Sequence, residues 1–436
     1  MGVNPTDKTF KKYLLLLGGQ LFSLLGSSVI QFVLIIWITE ITRDEVIIAL
    51  AAFIFFLPLV LLTPIAGVFT DKYDRKKIIL ISDSGQALIT FGLIVVFALG
   101  TTNVWLVIFI NSFRGICQAF HQPTVNSIIP TMVPKDKLSR VNGINYLMTG
   151  VIQVIGPLVA VWFLIFIPLG QIFWIDLLTF SIALIPLLLV DIPSVNGTVK
   201  DSLKEKKKNT FKEDFKEGLE VIKGIPGIIS LIFLAMLVNF LIQPINTLLS
   251  FFILVYHEGS EFNYALMSAF FQAGVVLGGI IASIKKDWPH KILLTVVGIV
   301  TFNVGYAFLG FTPRGLFLML SLFGLMMGFI LPIINTIFMT LIQLNVPPEK
   351  IGRVHAIDST VSMAISPLGT LISGPLAKFF GVQNLYIYCG ILGVLITVLI
   401  WLFTDIRRLD TEPEEQEEEK IPTEKLVKQS IEAKKN

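Results

Sequence analysis

The sequence is poor in charged residues, cysteine and histidine. Only 15% of its 436 residues are Asp, Glu, Lys or Arg, whereas soluble proteins carry about 25%, which excludes a water-soluble enzyme of this length. The two cysteines, Cys117 and Cys389, lie inside apolar runs and predict no disulfide framework. The four histidines lack metal-ligand spacing, and no Walker A loop or nucleophile–base pattern occurs. We therefore expect no metal, no cofactor and no enzymatic activity, ATP-driven pumping included.

Long apolar runs take the place of the missing charge. Hydrophobic residues make up 54% of the chain and the mean hydropathy is +0.78, while a net charge of +3 is too small to predict a nucleic-acid partner. A helix needs about 20 mostly apolar residues to cross a bilayer. Runs without polar alternation predict helices rather than barrel strands. The sequence thus predicts an all-α membrane protein in contact with membrane lipids, with twelve spans at roughly residues 14–40, 46–70, 78–100, 104–132, 141–167, 170–190, 228–256, 263–284, 291–311, 315–346, 353–380 and 384–404.

Basic residues predict the orientation of these spans, because Lys and Arg are retained in cytoplasmic loops. If the N-terminus, the even-numbered loops and the C-terminal segment share one side, that side holds 30 of the 34 basic residues. The other side holds only Arg43, Arg314 and Lys378, and Arg114 lies within the fourth span. We therefore expect both termini in the cytoplasm.

A long connection between the sixth and seventh spans divides the chain. It is rich in lysine at residues 204–208, and then apolar residues recur at helical spacing between charges, at Phe211, Phe215, Leu219 and Ile222. This pattern predicts a short interfacial helix whose lysines face anionic lipid head groups. The resulting domains are a six-helix bundle at 1–190, a cytoplasmic linker with an amphipathic helix at 191–227, a second six-helix bundle at 228–404, and a disordered cytoplasmic tail at 405–436, which contains the acidic run Glu412–Glu419.

The two bundles are related by an internal repeat. Phe120–Asn126 aligns with Phe329–Asn335, and Pro134–Val141 aligns with Pro347–Val354. Both alignments match the fourth and fifth spans to the tenth and eleventh in the same orientation. Parallel six-helix halves of this kind form transporters with a binding site between them, near the middle of the membrane.

The loop after the second span carries a motif, GVFTDKYDRKK from Gly67 to Lys77. It resembles the signature G-x-x-x-D-R/K-x-G-R/K-R/K of the major facilitator superfamily, with aspartate in place of the central glycine. The resemblance implies a gate that closes the cytoplasmic side. A carboxylate at such a loop can lie near the N-terminus of a helix in the other half, where the helix dipole favours an anion. The candidate gate residues are Gly67, Asp71, Lys72, Arg75 and Lys76; alternatively, the basic ones only determine topology.

Two charged residues inside the spans are candidates for coupling transport to proton movement. Arg114 lies near the middle of the fourth span, where a charge costs at least about 2.5–3.5 kcal/mol and indicates function. The stretch Arg114–Pro123 resembles the arginine motif of drug:proton antiporters. Asp176 lies in the sixth span, where a carboxyl group in apolar surroundings can exchange a proton. The alternative is a structural pair between Arg114 and a carboxylate such as Asp176.

Two further carboxylates, Asp83 and Asp358, lie near the cytoplasmic ends of the third and eleventh spans. Because of this position, we expect them to be solvated or to contribute to a gate.

Uncharged amides follow one face of several spans. In the major facilitator fold the first, fourth, seventh and tenth helices line the central cavity, and amides there would bind an amphipathic substrate by hydrogen bonds and apolar contact. The alternative for any single amide is a hydrogen bond between helices, worth about 0.6 kcal/mol. The candidate cavity residues are Gln20, Gln31, Gln118, Asn239, Gln243, Asn246 and Asn335.

Across the chain up to Asp410, the sequence is similar to the macrolide-efflux branch of drug exporters, notably at Gly18–Gln20, Asp71–Lys77, Ala119–Pro123 and Gly352–Val354. The resemblance implies a monomer in a prokaryotic cell membrane that exports a hydrophobic small molecule in exchange for protons by alternating access. The alternatives are a lysophospholipid or siderophore transporter of the same fold, and a membrane receptor or scaffold that transports nothing.

Overall fold

The computed structural model describes residues 5–100, 103–192, 211–285 and 287–410. Within these ranges twelve helices are long and apolar enough to cross a membrane, which confirms the predicted spans and the all-α class. We number them α1 Asp7–Thr42, α2 Glu45–Lys72, α3 Arg75–Ala98, α4 Val104–Met132, α5 Leu138–Phe166, α6 Leu169–Leu189, α7 Ile228–Phe251, α8 Glu261–Ile284, α9 Lys291–Phe311, α10 Phe317–Asn345, α11 Ile351–Phe380 and α12 Val382–Phe403. Helix α7 continues into a π-helical turn, Phe252–Tyr256.

Side-chain caps determine where several helices begin. Thr6 and Thr9 form a capping box, so α1 begins well before the start predicted from hydrophobicity alone. The Asp44 side chain accepts hydrogen bonds from the backbone N–H groups of Val46 and Ile47 at the start of α2. Asp74, which replaces the glycine of the loop signature, accepts from the N–H of Lys77 at 3.1 Å and caps α3. The aspartate therefore stabilises the turn instead of disrupting it.

The two six-helix halves repeat the same packing. Helix α2 packs against α4 as α8 packs against α10, and α3 packs against α6 as α9 packs against α12. Between the halves, the larger contacts join α2 to α11 and α5 to α8, which are equivalent pairs under a twofold axis along the membrane normal. The described helices thus form the two parallel bundles expected from the internal repeat.

A linker helix, Phe211–Gly224, lies between the two halves in sequence and packs against α11 and α7 of the second half. The Glu217 carboxylate lies 2.8 Å from the Arg353 guanidinium, and Ile222 is buried. The linker lysines at residues 204–208 lie outside the described residues, as does the acidic run at 412–419. The first part of the predicted disordered tail is ordered instead: Asp405–Asp410 forms a 3₁₀ helix. It is held because Ile406 and Leu409 are buried and the Asp410 carboxylate accepts a hydrogen bond from the N–H of Ile292.

Glycines permit close contact between helices in both halves. A Cβ atom at Gly115 on α4 would lie 2.3 Å from the Phe55 carbonyl oxygen on α2. In the second half, a Cβ at Gly328 on α10 would lie 2.0 Å from the Phe271 carbonyl oxygen on α8. Close backbone approach at small residues is a main source of helix association in lipid, where burial of apolar surface gains nothing.

Replacing Gly115 with alanine is therefore expected to push α4 away from α2. Overpacking of this kind costs about 1–3 kcal/mol, so Gly115→Ala should lower the thermal unfolding midpoint of the purified protein in detergent. Gly92→Ala on α3 is the matched control, since a Cβ there meets nothing within 4 Å. Equal unfolding midpoints for the two variants would contradict the packing described here.

Candidate functional site

The two halves are joined by polar contacts at one end of the bundle. We call this end of the bundle the opposite face. The other end contains the first and last described residues and the loops rich in Lys and Arg, and we call it the basic face. At the opposite face the Lys378 ammonium lies 3.0 Å from the Asp44 carboxylate. Deeper in the bundle, the buried hydroxyls of Thr39 and Ser250 are 2.9 Å apart. These two contacts connect α2 to α11 and α1 to α7.

Apolar contacts complete this closure. The rings of Phe32 on α1 and Tyr264 on α8 stack with centroids 4.8 Å apart. Gly374 on α11 lies against the start of α2, where an added Cβ would be 2.7 Å from the Val46 Cα. We call the four contacts, Asp44–Lys378, Thr39–Ser250, Phe32–Tyr264 and Gly374–Val46, the outer lock.

Asp44 keeps its charge within the outer lock. Partial burial alone would raise the pKa of its carboxyl group. The hydrogen bonds from the Lys378 ammonium and from the backbone N–H groups of Val46 and Ile47 outweigh this effect, and the pKa lies below its usual value. The ion pair across the two halves is therefore formed at neutral pH.

The candidate gate residues on the basic face contact their own half. Asp71 and Lys72 are exposed, and a Cβ at Gly67 would meet nothing within 4 Å. The Arg75 guanidinium donates to the Ser127 carbonyl at 3.0 Å, and the Lys76 ammonium donates to the carbonyls of Leu188 and Val190 at the end of α6. Among the described residues, Asp71 makes no hydrogen bond or ion pair with the second half. Their role as a gate stays a prediction.

Arg114 and Asp176 form a buried ion pair within the first half, as the structural alternative anticipated. Their nearest charged atoms are 3.7 Å apart, and the side chains are 5% and 6% exposed. Thr90 on α3 lies between them: its hydroxyl donates to the Asp176 carboxylate at 2.7 Å and accepts from the Arg114 guanidinium at 3.2 Å. The Ser27 hydroxyl is 3.4 Å from the other carboxylate oxygen. Four helices thus contribute to one polar layer, which we call the ion-pair layer.

The expectation that Asp83 is solvated is wrong, and its alternative, a contribution to a gate, stays a prediction. Asp83 is 5% exposed because α3 turns it inward toward α1 and α4. Its two carboxylate oxygens lie 3.1 Å from the His121 Nε2 and 3.3 Å from the Gln20 Nε2. The same His121 nitrogen is 2.9 Å from the Gln20 Oε1. Asp358 is also buried rather than solvated, and its Oδ1 atom has no hydrogen-bond partner in the described part of the chain.

The candidate cavity amides divide into two groups. Gln20 is buried, and both ends of its amide are engaged by Asp83 and His121, so it offers no free polar atom to a substrate. Gln243 is partly buried; it donates to the Asn239 carbonyl, and its Oε1 accepts from the Thr370 hydroxyl. The remaining side chains are exposed on α1, α4, α7 and α10, at Gln31, Gln118, Asn239, Asn246 and Asn335.

A separate apolar groove lies in the second half. It has a volume of about 490 Å³ and is formed by α7, α11 and α12, with Phe240, Gly369, Leu376 and Leu385 among its lining residues. Several lining side chains are exposed, Tyr388 by 46% and Leu392 by 47%. The groove therefore opens to the surroundings of the bundle.

The chain matches the Major Facilitator Superfamily over residues 16–370. It is 27% identical over 399 residues to macrolide efflux protein A of Streptococcus pyogenes, which covers 92% of this chain and 97% of that protein. It is 23% identical over 368 residues to the multidrug efflux pump Tap of Mycolicibacterium fortuitum, covering 81% and 86%. In fold it is similar to the crystal structure of a D-xylose-proton symporter, with a TM-score of 0.68 at 14% identity, covering 92% and 98% of the two chains.

Two parallel six-helix halves with polar side chains inside an apolar bundle define a membrane transporter. The chain belongs to the Major Facilitator Superfamily, and its relatives include macrolide and multidrug efflux proteins. It is a multi-pass protein of a prokaryotic cell membrane. The resemblance stated from the sequence is confirmed at this level.

The ion-pair layer predicts a large effect on stability. Asp176→Asn leaves the Arg114 guanidinium buried without its carboxylate, and breaking a buried pair in this way costs about 3–5 kcal/mol. We expect a marked fall in the thermal unfolding midpoint in detergent. Replacing both residues, as Arg114→Met with Asp176→Leu, should cost less than Asp176→Asn alone.

The control for this prediction is Asp358→Asn, because Asp358 is buried but has no ion-pair partner among the described residues. A wild-type unfolding midpoint in Asp176→Asn would show that the pair does not stabilise the bundle.

Proposed function

We propose that this protein is a secondary exporter of hydrophobic or amphipathic compounds of the macrolide class. It works as a monomer in the cell membrane by alternating access, in exchange for protons. The observation that carries the proposal is the set of exposed amides on α1, α4, α7 and α10, in a chain whose relatives are macrolide and multidrug efflux proteins.

The chemistry of these faces favours an uncharged or weakly polar binding site. An amide that faces hydrocarbon loses its hydrogen bonds, so exposed amides on four apolar helices indicate a water-filled cavity between the halves. The one charge in the middle of these four helices, Arg114, is buried in the ion-pair layer. A substrate would be held by apolar contact and hydrogen bonds to amides, which suits large amphipathic molecules.

The distribution of basic residues supports an orientation with the basic face in the cytoplasm. In that orientation the outer lock closes the extracellular side, and Asp71 on the cytoplasmic side is free of the second half. Export then requires the outer lock to open while the loop at Asp71–Lys76 engages the second half. An anion at Asp71 would be favoured at the N-terminus of α11 on the same face, because the helix dipole is positive there.

Proton exchange can be tested in inside-out vesicles with an acidic interior and a pH-sensitive dye. Adding erythromycin is expected to collapse the pH gradient, because inward movement of the drug is exchanged for outward movement of protons. Vesicles without the protein are the control for passive permeation of the drug. Labelled erythromycin that accumulates without any effect on the gradient would exclude proton exchange, and no erythromycin movement would exclude the macrolide substrate.

The gate can be tested by neutralising Asp71. Asp71→Asn removes the anion that would dock at the other half, so erythromycin-driven collapse of the gradient should be greatly slowed at wild-type protein levels. Asp136→Asn is the matched control, since Asp136 is an exposed carboxylate in another loop on the same face. Full transport in Asp71→Asn would remove Asp71 from the gate and leave the basic residues as determinants of topology.

The groove between α7, α11 and α12 favours a second candidate, a lysophospholipid transporter, because an acyl chain needs an apolar passage open to the bilayer. Movement of a labelled lysophospholipid across vesicles, with no response to erythromycin, would support it. An absence of flux for all tested compounds would favour a receptor or scaffold.

A further inference from the structure

The side chains of Gln20, Asp83 and His121 form a closed ring of hydrogen bonds inside the first half. Each member is within 3.3 Å of the other two: the His121 Nε2 is 2.9 Å from Gln20 and 3.1 Å from Asp83, and Gln20 completes the ring at 3.3 Å from Asp83. The Gln20 amide uses its oxygen toward the imidazole and its nitrogen toward the carboxylate. With the proton on Nε2, each of the three contacts in the ring joins a donor to an acceptor. We call this ring the histidine layer.

The heptad spacing of three helices separates the histidine layer from the ion-pair layer. Gln20 and Ser27 on α1, Asp83 and Thr90 on α3, and His121 and Arg114 on α4 are each seven residues apart. Seven residues are two turns of helix, so corresponding members lie on one helix face about 10.5 Å apart along the axis. Helix α6 contributes Asp176 to the ion-pair layer, whereas Ala183 and Pro186 of α6 pack against Gly19 beside the histidine layer. The first half thus contains two stacked polar layers.

The two layers differ in what balances their carboxylate. Asp176 faces Arg114, whose guanidinium is positively charged at any working pH, so Asp176 needs no proton to be compensated. Asp83 faces His121, which is positively charged only when it is protonated. The histidine layer therefore contains a cation that exists only when a proton is bound, whereas the cation of the ion-pair layer is permanent.

Of the three side chains in the histidine layer, that of His121 is the most exposed. Asp83 is closed off, with 4% of its side chain exposed, but His121 is 19% exposed. Its Nδ1 atom has no hydrogen-bond partner among the described residues, and Gln118 and Gln122 are exposed on the same helix. Water in the cavity can reach Nδ1, while Nε2 contacts the carboxylate. The other titratable groups that interact with Asp83 are Cys117 from α4, which in turn interacts with Arg114, and Asp176 from α6.

We propose that Gln20, Asp83 and His121 are the proton-binding site of this transporter, with His121 passing protons between cavity water and the Asp83 carboxyl group. A proton from water binds Nδ1, and the Nε2 proton moves to the near oxygen of Asp83, which leaves a neutral imidazole and a neutral carboxyl group. Release runs in reverse. Gln20 positions both partners. The inference rests on the proposed proton exchange for its role in transport, but proton binding at the site can be measured without transport.

Infrared titration of the purified protein tests the site directly. Across a pH series, wild type should show a carboxylic acid band that appears as the pH falls; it should be absent in Asp83→Asn and shifted in its midpoint in His121→Gln. Asp358→Asn, which removes another buried carboxylate, and His355→Gln, which removes an exposed histidine on α11, should keep the wild-type band and midpoint. An Asp83→Asn titration equal to wild type, or a band lost only in Asp358→Asn, would overturn the proposal.

A vesicle assay then tests the role in coupling. Asp83→Asn should lose erythromycin uptake driven by a pH gradient but keep erythromycin exchange at equal concentrations, which needs no proton movement. Wild-type gradient-driven uptake in Asp83→Asn would overturn the coupling role, as would loss of both uptake and exchange in a protein with normal thermal unfolding. If erythromycin uptake by the wild-type protein does not depend on the pH gradient, the proposed proton exchange is wrong. The infrared titration still decides whether the site binds a proton.

Discussion

The bilayer interior offers no water to a polar group, and the arrangement of this protein follows from that constraint. Arg114 can remain charged in the middle of α4 because Asp176 on α6 and Thr90 on α3 contact its guanidinium. Thr90 and Ser27 on α1 in turn donate to the two oxygens of Asp176. The same requirement closes the ring of Gln20, Asp83 and His121 two helical turns away. Satisfying these groups ties α1, α3, α4 and α6 into one rigid half. The equivalent of Arg114 in the second half is Phe323, so this polar core is not a property of the shared repeat.

The two halves differ in where their polar groups lie. The first half contains both polar layers, and the exposed amides of α7 and α10 belong to the second half. The halves meet through the outer lock, whose members on one half all contact partners on the other. Because both polar layers are made within the first half, that half can move as a body while the contacts between the halves break and form, which is the mechanical requirement of alternating access.

Much of the fold can be predicted from the sequence, because the length of the apolar runs and the repeated motifs do not depend on how the helices pack. The twelve spans, the parallel halves and the family follow from them. The pairing of Arg114 with Asp176 is one of two interpretations that the sequence leaves open. The site residues are harder to predict, since the burial of a side chain depends on how its helix is rotated about its axis. Asp83 and Asp358 lie near helix ends yet point inward, and Gln20 follows a polar stripe but bonds within its own half. The spacing of seven residues in α1, α3 and α4 is the signal that could have indicated stacked layers, although it becomes meaningful only when the neighbouring helices are known. The outer lock depends on pairs far apart in sequence, such as Thr39 and Ser250.

The proposed export requires the outer lock to open, and a reversible cross-link across the lock tests this requirement. Cysteines at positions 39 and 250, as Thr39→Cys with Ser250→Cys in a Cys117→Ala and Cys389→Ala background, can be joined by oxidation because the native hydroxyls are 2.9 Å apart. With cross-linking verified by mass spectrometry and the single-cysteine variants as controls, oxidation should abolish erythromycin transport and reduction should restore it. Full transport by the cross-linked protein would contradict the account, because the opposite face would then never need to separate.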